Sequence, residues 1–195
     1  MKVSREQMAQ NRQLILDEAS RLFRERGFDT VTVADVMKAA GQTHGGFYGH
    51  FKSKDDLIAA AIAHSLSVEA PAGTDLQGWM DAYLSPLHRD HPAQGCPVAS
   101  LAGLLRQQGP QARAAMSCGL EDQIERFARA LPGDDAAERR RAAIGQWSAM
   151  VGAVILSRAV DDTALADELL RQTRAWLGAV GSAADEGDHQ KAIGA

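Results

Sequence analysis

The chain has little cysteine, few aromatic residues and no long apolar run. Its 195 residues include two cysteines, Cys96 and Cys118, too few for a disulfide framework, so a reduced, cytoplasmic protein is expected. No stretch approaches the roughly 20 apolar residues of a membrane span, so no membrane partner is expected. The first seven residues, Met1 to Gln7, lack the apolar core of a secretory leader. Runs of β-branched residues are short, which argues against sheet. No glycine-rich phosphate cradle or oxyanion motif accompanies a nucleophile, so neither a cofactor nor a catalytic residue is expected. What is abundant is alanine and leucine. With 45% hydrophobic residues, the chain can bury a core, and helix is its natural form. The length suits one medium domain, or a small domain joined to a larger one.

Charge is unevenly spread. Residues 1–55 hold nine Lys/Arg against seven Asp/Glu, and residues 56–195 hold twelve against eighteen. The net charge of −4 therefore conceals a mildly basic first segment on an acidic body. That asymmetry suits a small nucleic-acid-binding module attached to something else.

Helix signals follow one another closely. Ser4-Arg5-Glu6-Gln7 reads as a capping box opening a first helix, with Leu14, Ile15, Ala19, Leu22 and Phe23 at helical spacing. Gly27 stops it. Thr32 caps a second helix with Val36, Met37 and Ala40 inward, and Gly41 closes it. Thr43 caps a third, running to about Phe51. Ser53 opens a fourth, with Asp55 and Asp56 at its positive end. Pro71-Ala72-Gly73 reads as a break between modules. A fifth helix starts near Asp75 and carries Leu76, Trp79, Met80, Tyr83, Leu84 and Leu87, and His88 to Gly95 reads as a loop. A sixth runs from about Cys96 or Pro97 to Gly109, and a seventh carries Met116, Leu120, Ile124, Phe127 and Leu131. The eighth, about 136–160, and the ninth, about 163–180, are apolar over more than one stripe, so each has surface left for a partner. Residues 181–195 have no periodicity and read as a disordered tail. The expected fold is all-α, with about nine helices. A helix-turn-helix module of three helices, residues 1–54, precedes a larger ligand-binding and dimerisation domain, residues 55–180.

The segment from Gln42 to Lys54, Gln-Thr-His-Gly-Gly-Phe-Tyr-Gly-His-Phe-Lys-Ser-Lys, is the most informative. Phe47 and Phe51 lie four apart and can anchor one side to a core. The opposite side keeps hydroxyl, imidazole and ammonium donors, the groups that hold a phosphate backbone. The spacing predicts that Thr43, His44, Gly45 and Gly46 face base edges in a major groove. Tyr48, His50, Lys54 and the cap at Thr32 are expected on phosphate.

The block from Leu14 to Phe23, Gly27-Phe28, Thr32-Val33, Val36 to Gly41 and Gly45 to Leu57 resembles the start of a TetR-family transcriptional regulator. It departs from the commoner pattern at Gly46 and Gly49, where larger residues are frequent. The resemblance covers about residues 10–60. It implies a homodimer paired through its last two long helices, bound to a palindromic double-stranded DNA operator and released by a small-molecule effector. It also implies that Tyr48, His50, Lys54 and the Thr32 cap are backbone contacts.

Other residues invite chemistry. His88, His91 and Cys96 could form a metal site, but a fourth ligand is not evident, and a solvated loop is the plainer reading, so no metal is expected. Cys96 stands before Pro97 at a helix start, where the dipole and nearby cations would favour its thiolate. It is a candidate electrophile or redox sensor, or else a core filler. Cys118 reads as core. Trp79, Met80, Tyr83, Cys96, Leu104, Met116, Phe127, Trp147 and Met150 are candidates to line an apolar effector pocket. Arg158 could pair with Asp161 or Asp162, or cross a dimer interface. The rival functions are a thiol-dependent enzyme using the His88–Cys96 loop and a DNA-binding activator without a ligand.

Overall fold

The computed structural model describes residues 4–67 and 75–193, with side chains to residue 179. The expected break at Pro71-Ala72-Gly73 lies outside the described residues. Among them there are nine α-helices, two 3-10 helices and no strand. The chain divides into two compact units. Residues up to 69 and residues 92–120 form the first, and residues 70–91 with residues 121 onward form the second.

The first unit is built on α1, Arg5–Arg26, and α3, Lys54–Ser67. Ile15, Ala19, Leu22 and Phe23 of α1 are buried, as are Leu57, Ile58, Ala61, Ile62 and Leu66 of α3. The buried Ser20 hydroxyl donates to the Ala61 carbonyl at 3.0 Å, tying α1 to α3 without an orphaned polar group. Leu14 was expected inward and is instead exposed. It sits about 100° around the helix from Ile15, outside the stripe that 15, 19, 22 and 23 define. Ser4 caps α1 by accepting from Gln7 N. The reciprocal arm of the expected box is replaced by a bond from the Gln7 amide to Asn11.

Gly27 ends α1 at φ 78, ψ 172, a conformation essentially confined to glycine. Helix α2, Val33–Ala39, opens with a complete capping box between Thr32 and Asp35. The third predicted helix is not an α-helix. Residues His44–Gly49 form a 3-10 turn, and Thr43 at its head makes no side-chain capping bond. Three glycines in six residues leave too little α-propensity for a wider helix. Ser53 accepts from Asp56 N, and Asp56 accepts from Lys52 N, so α3 is capped at the predicted place.

After residue 92 the first unit continues with α6, Pro97–Leu101, then a 3-10 segment, Ala102–Gln107. The single helix expected here is thus split. Helix α7, Pro110–Ala130, belongs to the first unit through residue 120 and to the second from 121. Cys118 was expected in the core and is exposed on α7.

The second unit holds α4, Leu76–Tyr83; α5, Pro86–Asp90; α8, Ala136–Ala159; and α9, Thr163–Ile193. Helix α5 occupies part of the stretch expected to be a loop. Ser85 caps it, accepting from His88 N, and Pro86 takes its first turn, where a missing N–H costs nothing. Leu87 consequently leaves the α4 stripe and is exposed. The backbone of α9 continues through Ile193, where a disordered tail was expected. Missing apolar periodicity reports missing burial, and it does not by itself remove helical hydrogen bonding.

Helices α3 and α7 approach closely at Gly119. A Cβ there would lie 2.6 Å from Leu66 Cδ1 and 2.7 Å from Leu66 Cβ. Gly119→Ala should therefore cost the first unit about 1–3 kcal/mol, read as a lower urea midpoint at an unchanged m-value. An unaltered midpoint would contradict this packing.

Candidate nucleic-acid interface

The turn His44–Gly49 is held from beneath. Phe47 and Phe51 are buried and stack with centroids 5.7 Å apart. Burying two phenyl rings contributes about 3–6 kcal/mol toward holding the turn against the module. The Phe47 carbonyl accepts from both His50 N and Phe51 N, at 2.9 and 3.0 Å. With the phenyl rings facing in, His44, Gly45, Gly46, Tyr48 and Gly49 face out. Tyr48 is 73% exposed and sets its ring edge-on to Phe47.

The glycines of this turn are not demanded by the fold. Gly45, Gly46 and Gly49 are absent from the positive-φ residues. A Cβ at Gly45 would meet nothing within 4 Å, and those at Gly46 and Gly49 would make only ordinary contacts. Packing within the unit thus does not require the bare outer surface.

The predicted backbone contacts differ in what they can still offer. Tyr48 presents its hydroxyl on an exposed ring. His50 and Lys54 are half-buried. Burial, then the charge of Arg12, lowers the His50 pKa below its ordinary value. In the absence of a neighbouring anion, both causes favour the neutral imidazole. Thr32 is committed elsewhere. Its hydroxyl donates to Asp35 Oδ2 at 2.6 Å and accepts from Asp35 N at 3.1 Å, and its N–H goes to the same carboxylate. That bonding, led by the hydroxyl, lowers the Asp35 pKa. In this arrangement Thr32 organises the start of α2 and has no donor left for phosphate.

The first helix supplies a residue that was not expected here. Arg12 Nη1 donates to the His50 carbonyl at 2.6 Å, and its guanidinium lies 4.2 Å from the Phe51 ring centroid. The available signal was its place three residues before Ile15, a cation on the apolar stripe of α1.

The residues proposed for an effector pocket do not gather in one place. Trp79, Tyr83, Phe127 and Trp147 form an aromatic cluster in the second unit, with centroids 5.3–6.3 Å apart. Met80 and Met150 are buried in that unit. Cys96, Leu104 and Met116 belong to the first. The buried Trp147 Nε1–H has no hydrogen-bond acceptor among the described residues. A separate polar cleft of about 280 Å³ lies among Arg89, Asp90, Arg158, Asp161 and Thr163, lined by none of the predicted pocket residues.

Arg158 makes bonds that the sequence left open. Its Nε donates to the Arg89 carbonyl at 3.0 Å and its Nη2 to the His88 carbonyl at 2.8 Å. A residue of α8 thereby satisfies the end of α5. Arg89 in turn binds Asp90 and, at 2.6 Å, Asp167 of α9, which raises its pKa. His88 and His91 spend Nδ1 on the Tyr83 and Leu87 carbonyls. Among the described residues no group of three His, Cys, Asp or Glu could hold a metal, and none of their helices is long and apolar enough to cross a membrane.

The capped helix α2, the turn after it and the helical segment His44–Gly49 have the layout of a helix-turn-helix. Residues 15–61 match the family model described as bacterial regulatory proteins, tetR family. Over that segment the chain is similar to the TetR/AcrR family of transcriptional regulators. It is similar to the HTH-type transcriptional regulator AcrR of Shigella flexneri, 41% identical over 56 residues, covering 29% of this chain and 26% of that protein. It is also similar to the HTH-type transcriptional repressor KstR2 of Rhodococcus jostii, 46% identical over 44 residues, covering 23% and 22%. The matched segment thus spans about a quarter of the curated relatives' length. The fold is shared more widely. The reduced form of Escherichia coli NemR matches with a TM-score of 0.68 at 17% identity, over 86% of this chain and 95% of that one. A TetR regulator from Legionella pneumophila matches with 0.68 at 21%, over 92% and 99%.

Desolvation lowers the His88 pKa, assisted by Arg158 and opposed by the bond to Tyr83. The unfolded chain therefore binds more protons than the native one at mildly acid pH. Stability is full above about pH 6.5 and falls as pH drops below it. The thermal midpoint should fall more between pH 7.5 and 5.5 in the wild type than in His88→Gln. Equal falls would show that His88 carries no such linkage.

Proposed function

We propose that the protein is a homodimeric, effector-released repressor that binds a palindromic DNA operator through residues 1–54, with residues 55–180 serving dimerisation and ligand response. The observation that carries the DNA reading is the outward face of the turn His44–Gly49, bare of side chains except His44 and Tyr48 over a buried phenyl pair. Its backbone can approach base edges closely. His44 and Thr43 supply the polar groups for readout, and Tyr48, His50 and Lys54 hold phosphate. Two-fold symmetry places half-sites about 34–36 Å apart or slightly more.

Dimerisation is supported by apolar side chains left on the last two long helices. Ile144, Ile155, Leu156, Leu165 and Trp176 are exposed, Trp176 at 53%, and a second copy would cover them. For the effector, the aromatic cluster around Trp147 favours a largely apolar small molecule carrying a hydrogen-bond acceptor for Nε1. A second trigger is supported at Cys96, which is half-buried and close enough to Arg24 for their charges to interact. The thiolate is the form that reacts with electrophiles.

The deciding experiment is a gel shift against DNA from the gene's own upstream region, with and without a mild electrophile. Specific binding lost with the reagent, restored by thiol reductant and insensitive in Cys96→Ser would support the thiol trigger. Binding lost equally in Cys96→Ser would move the trigger to another group, with exposed Cys118 the first to replace. Tyr48→Ala should leave the melting temperature unchanged and weaken cognate and unrelated DNA alike, by about 3–10-fold, as loss of one phosphate contact does. A loss confined to the cognate site would instead give Tyr48 a base-reading role.

A further inference from the structure

The turn that faces DNA in the reading above cannot hold its own shape. Glycine at 45, 46 and 49 gives it high conformational entropy in the unfolded chain and no flank of side chains in the folded one. Its interior is fixed by Phe47. Its C-terminal end is different. His50 closes the turn with φ −115 and ψ −36, and its carbonyl points beyond the last turn, where no further backbone N–H of the helix can reach it. The group that does reach it comes from α1, 38 residues earlier in the chain: Arg12 Nη1, at 2.6 Å.

The same guanidinium lies over the Phe51 ring, 4.2 Å from its centroid. Phe51 is buried and stacks on Phe47. A planar guanidinium can lie against a ring while an in-plane N–H donates sideways, which an ammonium does less well. Positive charge is also favourable at the carbonyl end of a helical turn. Arg12 thus joins three things: the scaffold helix α1, the last carbonyl of the reading turn and the aromatic pair beneath it.

We infer that Arg12 is a positioning residue for DNA recognition, holding the His44–Gly49 turn through the His50 carbonyl and the Phe51 ring without itself neutralising a phosphate. The inference rests on the DNA-binding reading and deepens it. It explains how a turn with half its residues glycine presents one conformation to a groove. Tyr48 and His50, the donors aimed at phosphate, flank the carbonyl that Arg12 holds, so loss of Arg12 disperses both.

The test uses full-length wild type, Arg12→Met and Arg12→Lys, with DNA affinity measured on an operator selected by the wild type across a range of salt. Methionine keeps a similar length against Phe51 and removes the donor. Lysine keeps a cation and one donor. Binding by Arg12→Met should fall about tenfold with the salt slope of the wild type, and Arg12→Lys should recover part of the loss. Amide exchange should quicken in residues 44–51 and stay protected in α1 and α3. A slope reduced by about 0.9 would mean that Arg12 sits on a phosphate. Wild-type affinity in Arg12→Met would mean that it has no part in recognition. Faster exchange throughout the first unit would mean that it merely supports the fold. Each of these overturns the inference, whereas a wild type that selects no DNA at all would overturn the DNA reading beneath it.

Discussion

The buried contact between Phe47 and Phe51 is the interaction on which the N-terminal module's surface depends. With these two rings turned inward, the faces of the intervening residues are settled, because a short helical turn offers only one outside. Tyr48 and the glycines must face out, and His50 must close the turn. The ring pair also supplies the platform for the Arg12 guanidinium. In the N-terminal module the outward face proposed for DNA is thus set by core packing, since burial of Phe47 and Phe51 leaves Tyr48 and the glycines outside.

Capping chemistry does comparable work elsewhere. Thr32 with Asp35 begins α2, Ser53 with Asp56 begins α3, Ser85 begins α5, and Asp135 begins α8 by accepting from Ala137 N and Glu138 N. Where a helix is too short to satisfy its own end, an arginine from another element does so. Arg12 serves the reading turn, and Arg158 serves α5. These two contacts share one logic in two separate units: a carbonyl that the local backbone cannot use is held by a side chain anchored on a long helix.

Much of this was legible in the sequence where the signal is local. Polar caps, glycine stops and four-residue aromatic spacing place α1, α2, the turn and α3 to within a residue or two. The failures are equally local in origin. Ser85-Pro86 is a helix start, but it read as the interior of a fifth helix that ran on to Leu87, with His88, Asp90 and His91 in the loop beyond. Leu14 was assigned to the apolar stripe by hydrophobicity, although its angle on the helix puts it outside. The 3-10 character of the turn follows from its three glycines in six residues, where the sequence reading placed a helix running to about Phe51. Arg12 was missed, and the partner of Arg158 was left open, for a different reason. Each spends its donors on carbonyls 38 or about 70 residues away, and no pattern of neighbours encodes such a partner. The candidate pocket was drawn from composition, which finds aromatics and methionines but not which unit each one joins.

The bare turn has a consequence for how this protein can change. Side chains at positions 45, 46 and 49 would meet little within the module, so packing leaves room for them. Variation there alters the reading surface while the phenyl platform and the α1 clamp stay constant. The turn behaves as a cassette on a fixed mount, and under the proposed DNA reading a change of operator preference can come from these positions without repacking the phenyl pair beneath them.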